Sequence, residues 1–127
     1  GKSQLTITLF EAEEHVDAGR IYLQKEVYFD GTELIDDLRK IQGAATCALC
    51  LEFVRGYPGI LRTAREQEGE ESFYPRRRAE DSRLDLDKTL REQLNLLRVV
   101  DNERYPAFFE WKGIRYYLAI NRERKKL

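Results

Sequence analysis

The chain has 127 residues and a mass of 15.0 kDa, which suits a single domain with a modest core. Its 22 Lys and Arg nearly cancel its 23 Asp and Glu, so the net charge of -1 gives no global field toward nucleic acid or a membrane surface. No apolar run is long enough to span a bilayer, no signal sequence is visible, and two cysteines without secretion signals fit a reducing cytoplasm.

Gly1 and Lys2, directly before a strand, read as a cut and not a natural start. Leu5, Ile7 and Leu9 then alternate with Thr6, Thr8 and Phe10, and Ile21 to Phe29 alternate in the same way; period two predicts two strands. The acidic turn between them, Glu11 to Arg20, carries His15 and an Asp-x-Gly at Asp17 to Gly19. Asp30-Gly31 ends the second strand, and Thr32 is a candidate N-cap. A long helix is predicted from about Glu33 to Arg55, with Leu34, Leu38, Ile41, Ala45 and Leu49 at helical spacing and Gly56 and Pro58 as its stop. Cys47, Leu51 and Val54 add apolar surface elsewhere on it, so it is expected to be well buried against a sheet.

Arg62 to Ser72 is polar and aperiodic, a loop. A second helix fits Asp87 to Val99, with Leu90, Leu94 and Leu97 on one face. Ala107 to Trp111 and Ile114 to Ile120 form a hairpin around Lys112-Gly113, where Gly supplies positive φ. The charged tail from Asn121 to Leu127 is expected to fray.

Four places invite a chemical reading. Cys47-x-x-Cys50 lies past the middle of its helix and lacks further ligands, so packing is favoured over redox or metal chemistry, and no metal site is expected. His15 shares a tight turn with Asp17 and reads as a turn residue more readily than a proton shuttle. Asp17 follows a strand, where α/β folds place catalytic groups, although an ordinary Asp-Gly turn has the same pattern. Tyr74 to Asp85 packs an aromatic, four arginines and three carboxylates into one stretch; arginine forks suit pyrophosphate or carboxylate, and mutual pairing in a solvated loop is the plain alternative.

Thr8-Leu9-Phe10-Glu11-Ala12, Val16-Asp17-Ala18-Gly19-Arg20-Ile21, and Tyr74-Pro75-Arg76-Arg77 through Glu80-Asp81-Ser82-Arg83-Leu84-Asp85, followed by Leu96-Leu97-Arg98 and Pro106-Ala107-Phe108, resemble the 10-formyltetrahydrofolate-dependent formyltransferases in order and spacing. That family includes methionyl-tRNA formyltransferase and the nucleotide-sugar N-formyltransferases. The resemblance runs from about Thr6 to Ile120. It implies an α/β fold: the C-terminal part of a Rossmann-like formyltransferase domain (two strands, a long helix, a second helix) over residues 1–100, and a terminal β-hairpin over 101–127.

Asp17 matches the family's catalytic Asp. The family's Asn-x-His pair and Ser-Leu-Leu-Pro stretch have no match here, His15 does not take the catalytic His role, and folate-binding residues are not assigned. The implied reaction of the intact enzyme moves a formyl group from 10-formyltetrahydrofolate to an amine. A short aromatic hairpin in place of a basic β-barrel, and the near-neutral charge, favour a nucleotide-linked amino sugar over tRNA. Tyr74, Arg76, Arg77 and Arg98 are the candidate contacts to it. The hairpin aromatics Phe108, Phe109, Trp111, Tyr116 and Tyr117 suggest a homodimer. The alternatives are a methionyl-tRNA formyltransferase fragment and a non-catalytic interaction module; the chain alone is expected to be inactive.

Overall fold

A computed structural model describes residues 1–14, 19–69 and 73–123. The elements run β1 (Gln4–Phe10), β2 (Ile21–Tyr28), α1 (Ile35–Gly56), short 3-10 turns at Gly59–Thr63 and Ala79–Ser82, α2 (Leu90–Arg98), β3 (Ala107–Trp111) and β4 (Ile114–Leu118). This is the α/β order expected: two strands, a long helix, a second helix and a hairpin. By contact, residues 2–31 and 39–73 form one compact unit, and residues 1, 32–38 and 74–127 another.

In the first unit β1 and β2 pair antiparallel from Gln4 opposite Tyr28 to Leu9 opposite Leu23. The register slips between Leu9 and Phe10, and Phe10 lies opposite Ile21. The extra residue, Tyr22, bends the strand at the mouth of the acidic turn, where bulges re-aim side chains. The stretch predicted as a polar loop begins inside the Gly59–Thr63 3-10 turn, and Ile21 and Arg65 exchange backbone hydrogen bonds of 2.7 and 3.0 Å. Residues 70–72 lie outside the described set.

α1 begins two residues later than its pattern predicts. The Asp37 carboxylate accepts from the Leu34 N–H at 3.2 Å, satisfying a donor near the first turn. Nor is the helix well buried. Ala45 and Leu49, one turn apart, are its buried residues, whereas Leu51 is 55% and Val54 70% exposed. Both cysteines are exposed, which corrects the expectation that they pack inside. One helix face buries against its surroundings here, and Leu51, Val54 and the two thiols lie outside it.

In the second unit, Leu84, Leu97, Val100 and Ala107 form the core, with Leu96, Phe109, Leu118 and Ile120 packed against it. Each fully buried Leu or Val contributes on the order of 1.5–3 kcal/mol. α2 starts at Leu90, later than the Asp87 expected, because Thr89 and Glu92 form a capping box: Thr89 Oγ1 accepts from the Glu92 N–H, and the Glu92 carboxylate from the Thr89 N–H. β3 and β4 pair from Ala107 opposite Leu118 to Trp111 opposite Ile114. The connecting Lys112 and Gly113 have φ of 50° and 79°, the two positive values of a tight hairpin turn. β4 stops at Leu118, and the Asn102 side chain takes over, hydrogen-bonding both the N–H and C=O of Ile120. Arg122 is tied to Thr32 and Asp37, so the tail is anchored that far; residues 124–127 lie outside the described set.

Candidate functional site

Asp17 and His15 belong to residues 15–18, which lie outside the described set; the chain on either side of them is fixed by several contacts. Where β1 ends, the Glu11 N–H donates to the Arg20 carbonyl at 2.9 Å. The Glu11 carboxylate accepts from Arg20 Nε at 3.1 Å. This guanidinium holds the Glu11 carboxyl below its ordinary value. The Tyr22 hydroxyl is pushed up, first by partial burial and then by its hydrogen bond to Glu11. Gly19 is buried, and its carbonyl accepts from Gln67 Nε2 at 2.7 Å. A Cβ on Gly19 would sit 1.8 Å from the Glu11 carbonyl oxygen, so glycine is required here by close backbone approach. Behind this neck, Gln24 donates to Thr8 Oγ1 at 3.1 Å and accepts from Arg65.

The other predicted site residues lie in the second unit. Tyr74 is 76% exposed and Arg76 is also exposed. Arg77 is half-buried; its Nη2 donates to the fully buried Ser82 Oγ at 3.1 Å, and Ser82 donates on to the Tyr105 carbonyl at 3.0 Å. Arg98 is buried. Its Nε and Nη2 donate to the Glu33 carbonyl and carboxylate, both at 3.0 Å, and its Nη1 to Asn95 Oδ1 at 3.1 Å. The four residues therefore separate into an exposed pair, Tyr74 and Arg76, and two arginines engaged inside the unit with different partners.

The loop's charges do not simply pair among themselves. Arg83 bridges to Glu110 on β3 at 3.1 Å, and Arg115 on β4 reaches both Glu110 and Glu80 at 3.0 Å. Those two carboxylates, Glu110 foremost, raise the Arg115 pKa. Its guanidinium also covers the Phe108 ring at 4.1 Å. A shallow pocket of about 440 Å³ beside this chain of charges is lined by Arg83, Leu84, Asp85, Leu86 and Glu110. Sequence reading missed Glu33 and Gln67, which meet their partners 65 and 48 residues away and leave no local signal. Among the described residues no group of three or more His, Cys, Asp or Glu is placed to hold a metal ion. No helix among them is long and apolar enough to cross a membrane.

The chain is 35% identical over 102 residues to a methionyl-tRNA formyltransferase from Thermosipho melanesiensis, a match covering 80% of this chain and 32% of that protein. A methionyl-tRNA formyltransferase from Clostridium thermocellum shares the fold with a TM-score of 0.68 over 89% of this chain and 48% of its own, at 22% identity. No protein-family model matches. The chain thus spans about a third of the length of the curated relative it matches.

Proposed function

Because the chain belongs to the formyltransferase family, we propose that it is the C-terminal part of an enzyme moving a formyl group from 10-formyltetrahydrofolate to an amine, with Asp17 as its catalytic carboxylate. The observation that carries this reading is the 35% identity across 102 residues. A neutral amine attacks the formyl carbon. The new C–N bond forms first as the carbonyl π electrons move to oxygen, giving a tetrahedral oxyanion; this collapses with cleavage of the bond from that carbon to the folate nitrogen, and the proton lost by the amine passes through Asp17 toward the departing nitrogen. An Asn and a His from the rest of such an enzyme stabilise the oxyanion. Gly19, Gln67 and the Glu11–Arg20 pair support the role of Asp17 by fixing the backbone on both sides of its segment.

For the acceptor we favour an amino sugar carried on a nucleoside diphosphate. Exposed Tyr74 offers a stacking face and Arg76 a fork for phosphate, with Arg77 beside it; Arg98 acts from within, as a positioning residue. Net charge of -1 supports a small substrate over a polyanion. Methionyl-tRNA is the second reading, favoured by the names of both relatives. The overhanging apolar side chains of the hairpin, Trp111, Ile114 and Tyr116, support a homodimer contact, and a cytoplasmic setting goes with the proposal.

The test is formylation of amines by an enzyme carrying this sequence, with Asp17→Asn expected to lower kcat by at least about 100-fold. An unimpaired D17N variant removes Asp17 from the mechanism. Titration with a nucleoside diphosphate and with tRNA separates the acceptors: the first predicts binding weakened by Arg76→Ala, the second a steep salt dependence.

A further inference from the structure

Arg76 lies in an irregular stretch just before the 3-10 turn Ala79–Ser82, so whatever holds that turn also sets where Arg76 sits. Its downstream end is tied from within. Ser82 is fully buried between Arg77 and the Tyr105 carbonyl, and the Leu84 N–H donates to the Phe108 carbonyl at 2.6 Å. The turn's side chain Glu80 is reached instead from the hairpin. Glu110 and Arg115 stand opposite each other across β3 and β4, with Phe108 and Tyr117 as the next pair on the same face. On that face the Arg115 guanidinium covers the Phe108 ring at 4.1 Å and donates through Nη2 to Glu110 at 3.0 Å. Glu110 is itself held by Arg83 at 3.1 Å. A guanidinium carries its donors in a rigid plane, so a ring against one side and a fixed carboxylate on one edge leave the remaining N–H groups aimed at one place. That place is Glu80, 35 residues earlier: Nη1 and Nη2 meet its two oxygens at 3.0 and 3.4 Å.

We propose that Arg115 is a positioning residue for the acceptor: anchored on both hairpin strands, it grips the 79–82 turn through Glu80 and so orders Arg76 for the diphosphate, a role that rests on the nucleotide-linked acceptor favoured above. Exposure separates this role from support of the fold. The Arg115 and Glu80 side chains are 35% and 63% exposed, and ion pairs this open to water add little to global stability. The buried Ser82 and the core around Leu84 keep the unit folded without them. What the Arg115–Glu80 fork governs is the local order of the stretch that precedes it. An arginine already held in place binds phosphate without the entropy cost of immobilising its loop at that moment.

The test is calorimetric titration of an enzyme carrying this sequence with uridine diphosphate, beside urea unfolding of each variant. Arg115→Gln weakens binding about 3–10-fold and moves the unfolding midpoint by less than about 0.5 M. Glu80→Gln cuts the same tether from the other end and weakens binding by a similar factor. This arm is decisive, because an effect of charge at a distance predicts the reverse: removing a carboxylate near the site tightens phosphate binding. In an Arg76→Ala background, Arg115→Gln has no further effect, since it acts through Arg76. Arg115→Gln binding as wild type, Glu80→Gln binding tighter, or an Arg115→Gln effect that adds in full to that of Arg76→Ala each overturns the positioning role and leaves the acceptor reading standing. Midpoints lowered by more than about 0.5 M in both tether variants also overturn it, making the pair a strut of the fold. No binding by the wild type, or binding indifferent to Arg76→Ala, overturns the acceptor reading and the positioning role together.

Discussion

Arg98→Ala tests whether this arginine is a strut or a surface contact. Its guanidinium and the Glu33 carboxylate meet at 3.0 Å with side-chain exposures of only 10% and 11%. Removing one partner of a buried pair strips the countercharge from the other, at a cost of about 3–5 kcal/mol. A chain of 127 residues has a total stability on the order of 6–19 kcal/mol, so the loss is a large share of it. With a urea dependence near 2 kcal/mol per molar, the unfolding midpoint falls by roughly 1.5–2.5 M. Trp111, the sole tryptophan, lies in the same compact unit as both partners and reports its unfolding. Replacing both partners, Arg98→Met with Glu33→Leu, recovers most of the loss, because apolar residues of similar volume carry no desolvation penalty. A midpoint shift under about 0.5 M for R98A refutes the strut, as does a double variant less stable than the single one.

Gly19→Ala forces a shift of the Glu11 backbone, since its Cβ meets that carbonyl at 1.8 Å; thermal melts are expected to drop, and a formyltransferase bearing it to lose activity. Ser82→Ala deletes a buried hydroxyl that joins Arg77 to the Tyr105 carbonyl, at a cost of about 1–3 kcal/mol in urea unfolding. The Glu92 carboxyl is held below its ordinary 4.5 by the Thr89 side-chain and backbone donors. Its contribution to stability is therefore complete above pH 4.5 and lost as pH falls through the lower folded value, so Glu92→Gln flattens the acid limb of a stability–pH profile.

Local pattern was enough for the elements and not for their partners. The hairpin was legible because alternation and Lys112-Gly113 state the same structure twice, in period and in turn chemistry. α2 was legible from its leucines, but its start was not, since helical periodicity continues backward through Asp87 while the Thr89–Glu92 box sets the first turn. α1 misled on burial: apolar residues on several faces suggested full burial, and only the Ala45–Leu49 face is covered. Arg98 read as a ligand contact because its partner, Glu33, lies 65 residues earlier at the approach to a different helix. No window of sequence contains both.

The neck of the acidic turn bears on the choice between a plain reversal and a catalytic loop. An ordinary Asp-x-Gly turn needs glycine for its dihedral angles alone, and other small or polar residues often serve. Here the constraint is different in kind: the Glu11 carbonyl leaves no room for any side chain at Gly19. The same few residues are held by an ion pair to Arg20, a donor from Gln67, and the Ile21–Arg65 backbone pair, which recruit a distant loop. Chain reversal requires none of these. Ordering a polar loop against a strand end costs conformational entropy, about 1–2 kcal/mol per residue fixed. These contacts bear on the role proposed for Asp17 because misplacement of a reacting carboxylate by about 1 Å already slows catalysis severely.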